Sequence, residues 1–183
     1  MDTLGVVESK SIAAGVALAD VMVKASEVTL ARAATVCSGR YLIFVTGDRE
    51  AVATAVQTAR NTQKRLSGSF VLANIDEQVL KILKAPAPTV EQGAIGIVEC
   101  RTVSSGIAAS DIAVKRADIR LCRLVAGQGI NGKSYFVVNG GTAAVEEAVR
   151  AAQEALGTEI IDTAVIPGPD ASVLRAVTGV VRM

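Results

Sequence analysis

The sequence predicts an α+β fold made twice over: two tandem βαββαβ-type units in one chain. Three observations predict it. A chain of 183 residues has room for two small domains. A motif near the start recurs in the middle with its internal spacing intact, at a period too long for a solenoid and suited to a duplicated domain. Within each copy, runs of helical periodicity alternate with short β-rich runs punctuated by turn residues.

The repeat is legible residue by residue. Residues 4–15, Leu-Gly-Val-Val-Glu-Ser-Lys-Ser-Ile-Ala-Ala-Gly, align with residues 95–106, Ile-Gly-Ile-Val-Glu-Cys-Arg-Thr-Val-Ser-Ser-Gly. The match runs without a gap until Arg32 meets Arg123, and it superposes Glu8 on Glu99, Asp20 on Asp111 and Lys24 on Lys115. After a short insertion in the second copy, Gly39 falls on Gly132, Arg40 on Lys133 and Gly47 on Gly140; further on, Val79 meets Val173. The seam is residues 85–92, where Pro86 and Pro88 favour an extended linker. The expected domains are therefore 1–84 and 93–183.

The first copy shows the elements in order. Residues 5–8 read as a short strand. Residues 11–25 carry Ile12, Val16, Ala19 and Val23 at helical spacing, with Ser11 as N-cap. Residues 28–34 and 41–45 are β-rich runs flanking Cys37-Ser38-Gly39, and 46–48 is a turn before a second amphipathic helix over 49–65. Residues 70–73 close the sheet, and 76–83 form a short last helix. Two helices on one side of an antiparallel sheet make a layered domain that is marginal alone and gains by pairing.

Composition narrows the function. The 19 basic and 18 acidic residues nearly cancel, so no basic footprint for nucleic acid is present. The chain has no His, which excludes Ser-His-Asp and Cys-His nucleophiles and every His-ligated metal site. Cys37, Cys100 and Cys122 are widely spaced and form no Cys-x-x-Cys, which fits a reducing compartment. Apolar runs are too short or too charged to span a membrane, and the opening residues lack the pattern of a secretion signal, so a cytoplasmic location is expected. Half the residues are hydrophobic while 3% are aromatic, and the mean hydropathy is +0.42. That is more apolar surface than one small core needs, and it points to burial between subunits.

The quoted motif, followed by Ala19-Asp20-Val21-Met22-Val23-Lys24 and repeated through Ser110-Asp111-Ile112-Ala113-Val114-Lys115, resembles the opening of the bacterial microcompartment shell domain. Both copies match in unpermuted order over essentially the whole chain. The sequence thus resembles the tandem-domain trimer class of shell proteins (BMC-T), and within it the T-type proteins of propanediol-utilisation compartments. The resemblance implies ferredoxin-like domains, a homotrimer forming a flat pseudohexamer, and discs that tile with neighbouring hexameric and trimeric shell proteins around enclosed enzymes. It also implies a central opening for small metabolites.

On this resemblance, Val36-Cys37-Ser38-Gly39 and Gly129-Ile130-Asn131-Gly132-Lys133-Ser134 match the loops around the opening; ordinary Gly-rich hairpin turns are the other reading. Lys24 and Lys115 match the edge lysine, against a solvated helix-end lysine, with Asp20 and Asp111 as fold or interface residues. The family's Arg between two prolines is missing from both copies, where Pro167-Gly168-Pro169-Asp170 and Ala73-Asn74-Ile75-Asp76 stand. Some relatives carry an axial iron–sulfur cluster on a Cys at the position of Ser134. A serine hydroxyl is a poor cluster ligand, so no cluster is expected at Ser134; Cys37 is the remaining candidate, a small semi-buried thiol being the other reading, and no metal or other cofactor is expected. Lys133 and Arg40 either give the opening a positive rim or point away from it. Glu8 and Glu99 are expected as structural rather than catalytic carboxylates.

The expectation is a non-enzymatic shell tile with a central pore. Two other readings stand beside it: an electron-transfer tile with an axial cluster, and a ferredoxin-like regulator binding a small molecule between subunits.

Overall fold

The computed structural model describes residues 3–62, 65–127 and 129–179. The first copy runs β1 (Thr3–Ser9), α1 (Ile12–Ala25), β2 (Thr29–Val36), β3 (Arg40–Gly47), α2 (Arg49–Thr62), β4 (Leu66–Leu72) and α3 (Glu77–Lys84). The second repeats it as β5 (Ala94–Cys100), α4 (Val103–Arg116), β6 (Ile119–Ala126), β7 (Ser134–Gly140), α5 (Thr142–Leu156), β8 (Ile160–Ile166) and α6 (Ala171–Thr178). Each copy forms one four-stranded antiparallel sheet, in the orders β2-β3-β1-β4 and β6-β7-β5-β8. The α+β, twice-repeated architecture is as the sequence predicts.

Packing divides the chain into two units. One comprises Met1–Ile75 with Thr102–Ser104 and Gly127–Gly132; the other holds the rest. Helix α3, assigned by the repeat to the first domain, therefore packs with the second unit, lying on β6. The repeat of sequence and the unit of packing differ by this helix and by the two short segments of the second copy that join the first unit.

In the first unit β1 is the inner strand between β3 and β4, and all seven of its residues are buried. That is why its middle, Leu4-Gly5-Val6-Val7, is an unbroken apolar run rather than an alternating one. Helix α2 presents Val52, Ala55, Val56 and Ala59 to the sheet, a stripe at i, i+3, i+4 and i+7. Val145, Ala148, Val149 and Ala152 repeat the stripe on α5. Close approach is possible because the strand beneath carries glycine: a Cβ on Gly5 would lie 2.8–2.9 Å from Val45, Val52 and Val56, and one on Gly96 would lie 2.7–3.0 Å from Val149, Val145 and Val138. In the second unit the opposite face of the sheet is covered as well, where Ile95 and Val137 meet Val90 and Leu174 of α6. The short last helices are capped alike: Asp76 accepts from Gln78 N and Asp170 from Ser172 N, both at 2.8 Å.

Strand β4 begins four residues before the expected 70–73. Its first half, Leu66-Ser67-Gly68-Ser69, lies outside the expected strand but pairs with β1, Ser69 opposite Val7 and Gly68 opposite Glu8. Gly68 is there for space, since a Cβ would run into the Ser104 hydroxyl.

Candidate functional site

Two hairpin loops converge in the first unit. The first, after β2, has Ser38 and Gly39 in the left-handed region, both at φ 68°. The second contains Gly129 (φ 74°), Asn131 (φ 56°) and Gly132 (φ 74°). Ser and Asn at positive φ are uncommon, and Asn tolerates it through its short polar side chain. The loops are joined to each other: the Ser38 hydroxyl donates to Asn131 Oδ1, and Gly129 N donates to Cys37 Sγ at 3.3 Å. Ser38, Gly39, Gly129 and Asn131 are exposed, while Val36, Cys37 and Ile130 are half-buried and Gly132 is buried.

Beneath these loops lies a buried charge network that the sequence did not reveal. Glu8, with no exposed surface, accepts from Arg40 Nη1 at 3.0 Å through Oε1. Its other oxygen, Oε2, accepts from Ser104 N at 3.0 Å and the Ser104 hydroxyl at 3.1 Å. A carboxylate at the first turn of α4 answers backbone donors that lack a partner within the helix. Arg40 Nη1 also donates to the Gly132 carbonyl at 3.2 Å. Arg40 is therefore committed to these partners and adds no free charge to the loops.

In the second unit the matched pair is looser. Lys133 Nζ meets Glu99 Oε1 at 2.9 Å, with side chains 45% and 38% exposed. Ser134, placed by its sequence with the second loop, has no exposed surface. It begins β7 under Gly106, where a Cβ would collide with it, and its hydroxyl bonds the Cys100 thiol. An axial iron–sulfur cluster does not fit the residue at this position: the oxygen is both the wrong ligand and walled in. Burial pushes the Cys100 thiol up to about 12 and the Cys122 thiol up to about 11, so neither is a thiolate near neutrality.

The lysines expected at an edge differ in setting. Lys24 pairs with Asp20 at 2.7 Å and both are well exposed, at 74% and 61%. Lys115 pairs with Asp111 at 2.5 Å, but Asp111 is 4% exposed and also accepts from Asp76 N at 2.8 Å. Asp76 and Asp170, which follow the places where the family's Arg is missing, serve as helix caps.

A duplicated four-stranded unit with a Gly-rich loop in each copy defines the class: a tandem-domain α+β protein. The BMC domain model matches residues 3–75 and 94–169, and the chain belongs to that family. It is 36% identical over 175 residues to the bacterial microcompartment shell protein PduT of Citrobacter freundii, spanning 94% of this chain and 95% of that one. A carboxysome shell protein, CcmK2 of Thermosynechococcus vestitus, matches 70 residues at 37% identity, 38% of this chain and 69% of that protein. Among solved structures, a microcompartment protein from Desulfitobacterium hafniense DCB superposes with a TM-score of 0.78 at 35% identity, covering 96% of this chain and 99% of that one. The fused permuted hexameric shell protein MSM0275 of the RMM microcompartment shares the fold, with a TM-score of 0.62 at 21% identity over 86% of this chain and 84% of that one. This chain is a tandem-domain shell protein of a bacterial microcompartment. No helix among the described residues is long and apolar enough to cross a membrane.

Proposed function

We propose that three copies close head to tail into a pseudohexameric tile, and that the 36–39 and 129–133 loops surround its central opening. One observation carries this reading. Apolar residues at matched positions have opposite fates: Ile12, Val16, Val23 and Leu30 are 42%, 52%, 38% and 43% exposed, whereas Val103, Ile107, Val114 and Leu121 are 0%, 0%, 8% and 3% exposed. The same residue types at the same places on the same fold call for the same cover. In the first copy that cover is absent from the chain itself.

The second unit supplies a template for it. There α3 packs on β6, Gln78 bridges Ile119 O at 3.2 Å and Leu121 N at 2.8 Å, and Asp76 N reaches Asp111. By the repeat, α6 of a second chain would lie on β2, with the partner's Asp170 N donating to Asp20. Ser172 stands where Gln78 stands, so the bridge is not reproduced and the cap contact is. An interface of this head-to-tail kind generates a ring when its rotation closes. The domains of the tile are then residues 1–84 and 93–183 joined by 85–92, alternating around the axis.

Lys24 is exposed and would serve edge contacts with neighbouring hexameric and trimeric shell proteins, while Lys115 is partly used within the chain. The loop atoms that would face small metabolites are the Ser38 and Asn131 side chains and the glycine backbone, with Arg40 and Lys133 each held by a carboxylate. This favours a polar, nearly neutral constriction over the positive rim. Ser134, being buried, is left out of the lining. The role is structural rather than enzymatic: Glu8 and Glu99, the paired carboxylates, are tied to cations instead of poised for proton transfer. The solution mass tests the assembly. The reading expects three times the 18.8-kDa chain mass, and a monomer would refute it.

A further inference from the structure

We infer that Arg40 is a positioning residue that sets the shape of the 129–132 loop segment by tying its Gly132 carbonyl to the buried Glu8 carboxylate. Around the opening proposed above, on which this inference rests, it would thereby set the aperture. The geometry is that of a strut. Arg40 Nη1 sits 3.0 Å from Glu8 Oε1 and 3.2 Å from Gly132 O, while Glu8 Oε2 is fixed by two donors from Ser104. The anchor end is fully buried and β1 around it is buried throughout, so it cannot yield. The loop end is different. Gly132 and Gly129 lack side chains to hold them, and among the described residues the loop is also tied by Gly129 N to Cys37 Sγ and by Asn131 to Ser38.

A delocalised guanidinium suits the task, since one nitrogen carries two donors and the charge stays on at any working pH. The second copy does not repeat the arrangement. Lys133 takes the place of Arg40, and its carboxylate partner Glu99 is 38% exposed. Ala13 takes the place of Ser104, so the hydroxyl that braces Glu8 has no counterpart. The strut is a property of one loop of each pair.

Cys37 provides a direct readout, because its sulfur contacts Gly129 and it is half-buried, whereas Cys100 and Cys122 are buried. The experiment follows alkylation of each cysteine by iodoacetamide, resolved by peptide mass spectrometry, on the purified full-length protein. Arg40→Met should speed labelling of Cys37 about tenfold while Cys100 and Cys122 keep their wild-type rates, the pattern of local rather than global opening. Arg40→Lys should stay within about threefold of wild type, since an ammonium can reach one acceptor of the two. Because Arg40→Met strands a buried carboxylate, the Glu8→Gln/Arg40→Met double variant is measured as well. It should recover melting temperature yet keep the fast Cys37 labelling. Cys37 rates unchanged in both Met variants, or rising together with Cys100 and Cys122 in the double variant, would overturn the strut. The oligomer mass is read on the same samples, so loss of the trimer reading is seen separately from loss of this one.

Discussion

Glu8 and Glu99 occupy the same place in the repeat and do different work. The sequence could show that both end a strand and that neither has a His nearby. It could not show that Glu8 is buried against Ser104 with Arg40 as counter-ion while Glu99 stays in reach of water. Burial turns that difference into energy. Breaking a buried pair leaves an unpaired charge, so Glu8→Ala should cost about 3 kcal/mol in denaturant unfolding. Glu99→Ala, which breaks a half-exposed pair, should cost about 0.5 kcal/mol. Equal effects would mean that the buried network is not formed. Arg40 was legible as a cation beside a loop, but the identity of its partners was not, because they come from positions distant in sequence: Glu8 and Gly132.

The elements were read from the sequence more faithfully than their ends. Helix α2 runs through the described residues to Thr62, with 63–64 of its expected span lying outside them, and β4 starts at Leu66 rather than at residue 70. At β4 the local pattern lost to pairing with β1, which local periodicity does not encode. The glycines under α2 and α5 test the packing directly. Gly5→Ala places a methyl within 2.9 Å of Val52 and Val56, and should cost about 1–3 kcal/mol by forcing the helix off the sheet. A neutral effect would show that α2 is not seated as described. Helix α6 carries a pH dependence of its own. Hydrogen bonds from the Ser172 side chain and backbone lower the Asp170 pKa below the usual 3.8, so the carboxylate is held charged in the folded helix. The sign follows: the cap's contribution is complete above 3.8 and is lost as pH falls through the lower folded value. Acid titration of the Asp170 carboxyl by NMR should find its midpoint below 3.8 in the native protein, and part of the way back toward it in Ser172→Ala, which loses the hydroxyl but keeps the backbone donor. An ordinary midpoint in the wild type would dismiss the cap.

At the scale of the molecule, duplication is what the sequence shows best and what the structure uses most. Two copies of one fold should need the same surroundings, and the first copy leaves its α1 and β2 apolar residues exposed where the second buries them. Val16 is the most exposed of these large apolar side chains, at 52%, and its counterpart Ile107 is at 0%. A charge there should block association without touching the core: Val16→Glu should fold, by circular dichroism, and run as a monomer. An unchanged oligomer in that variant would move the interface elsewhere. Which apolar face the chain leaves uncovered was not legible from periodicity alone, because α1 and α4 carry nearly the same pattern and only the folded chain distinguishes them.

Electron microscopy of the purified protein tests the central claim most directly. Class averages should show flat discs of six similar lobes about a central opening, with three-fold symmetry at higher detail. Discs in which these glycine loops lie at the outer rim, or particles no larger than a single chain, would contradict it.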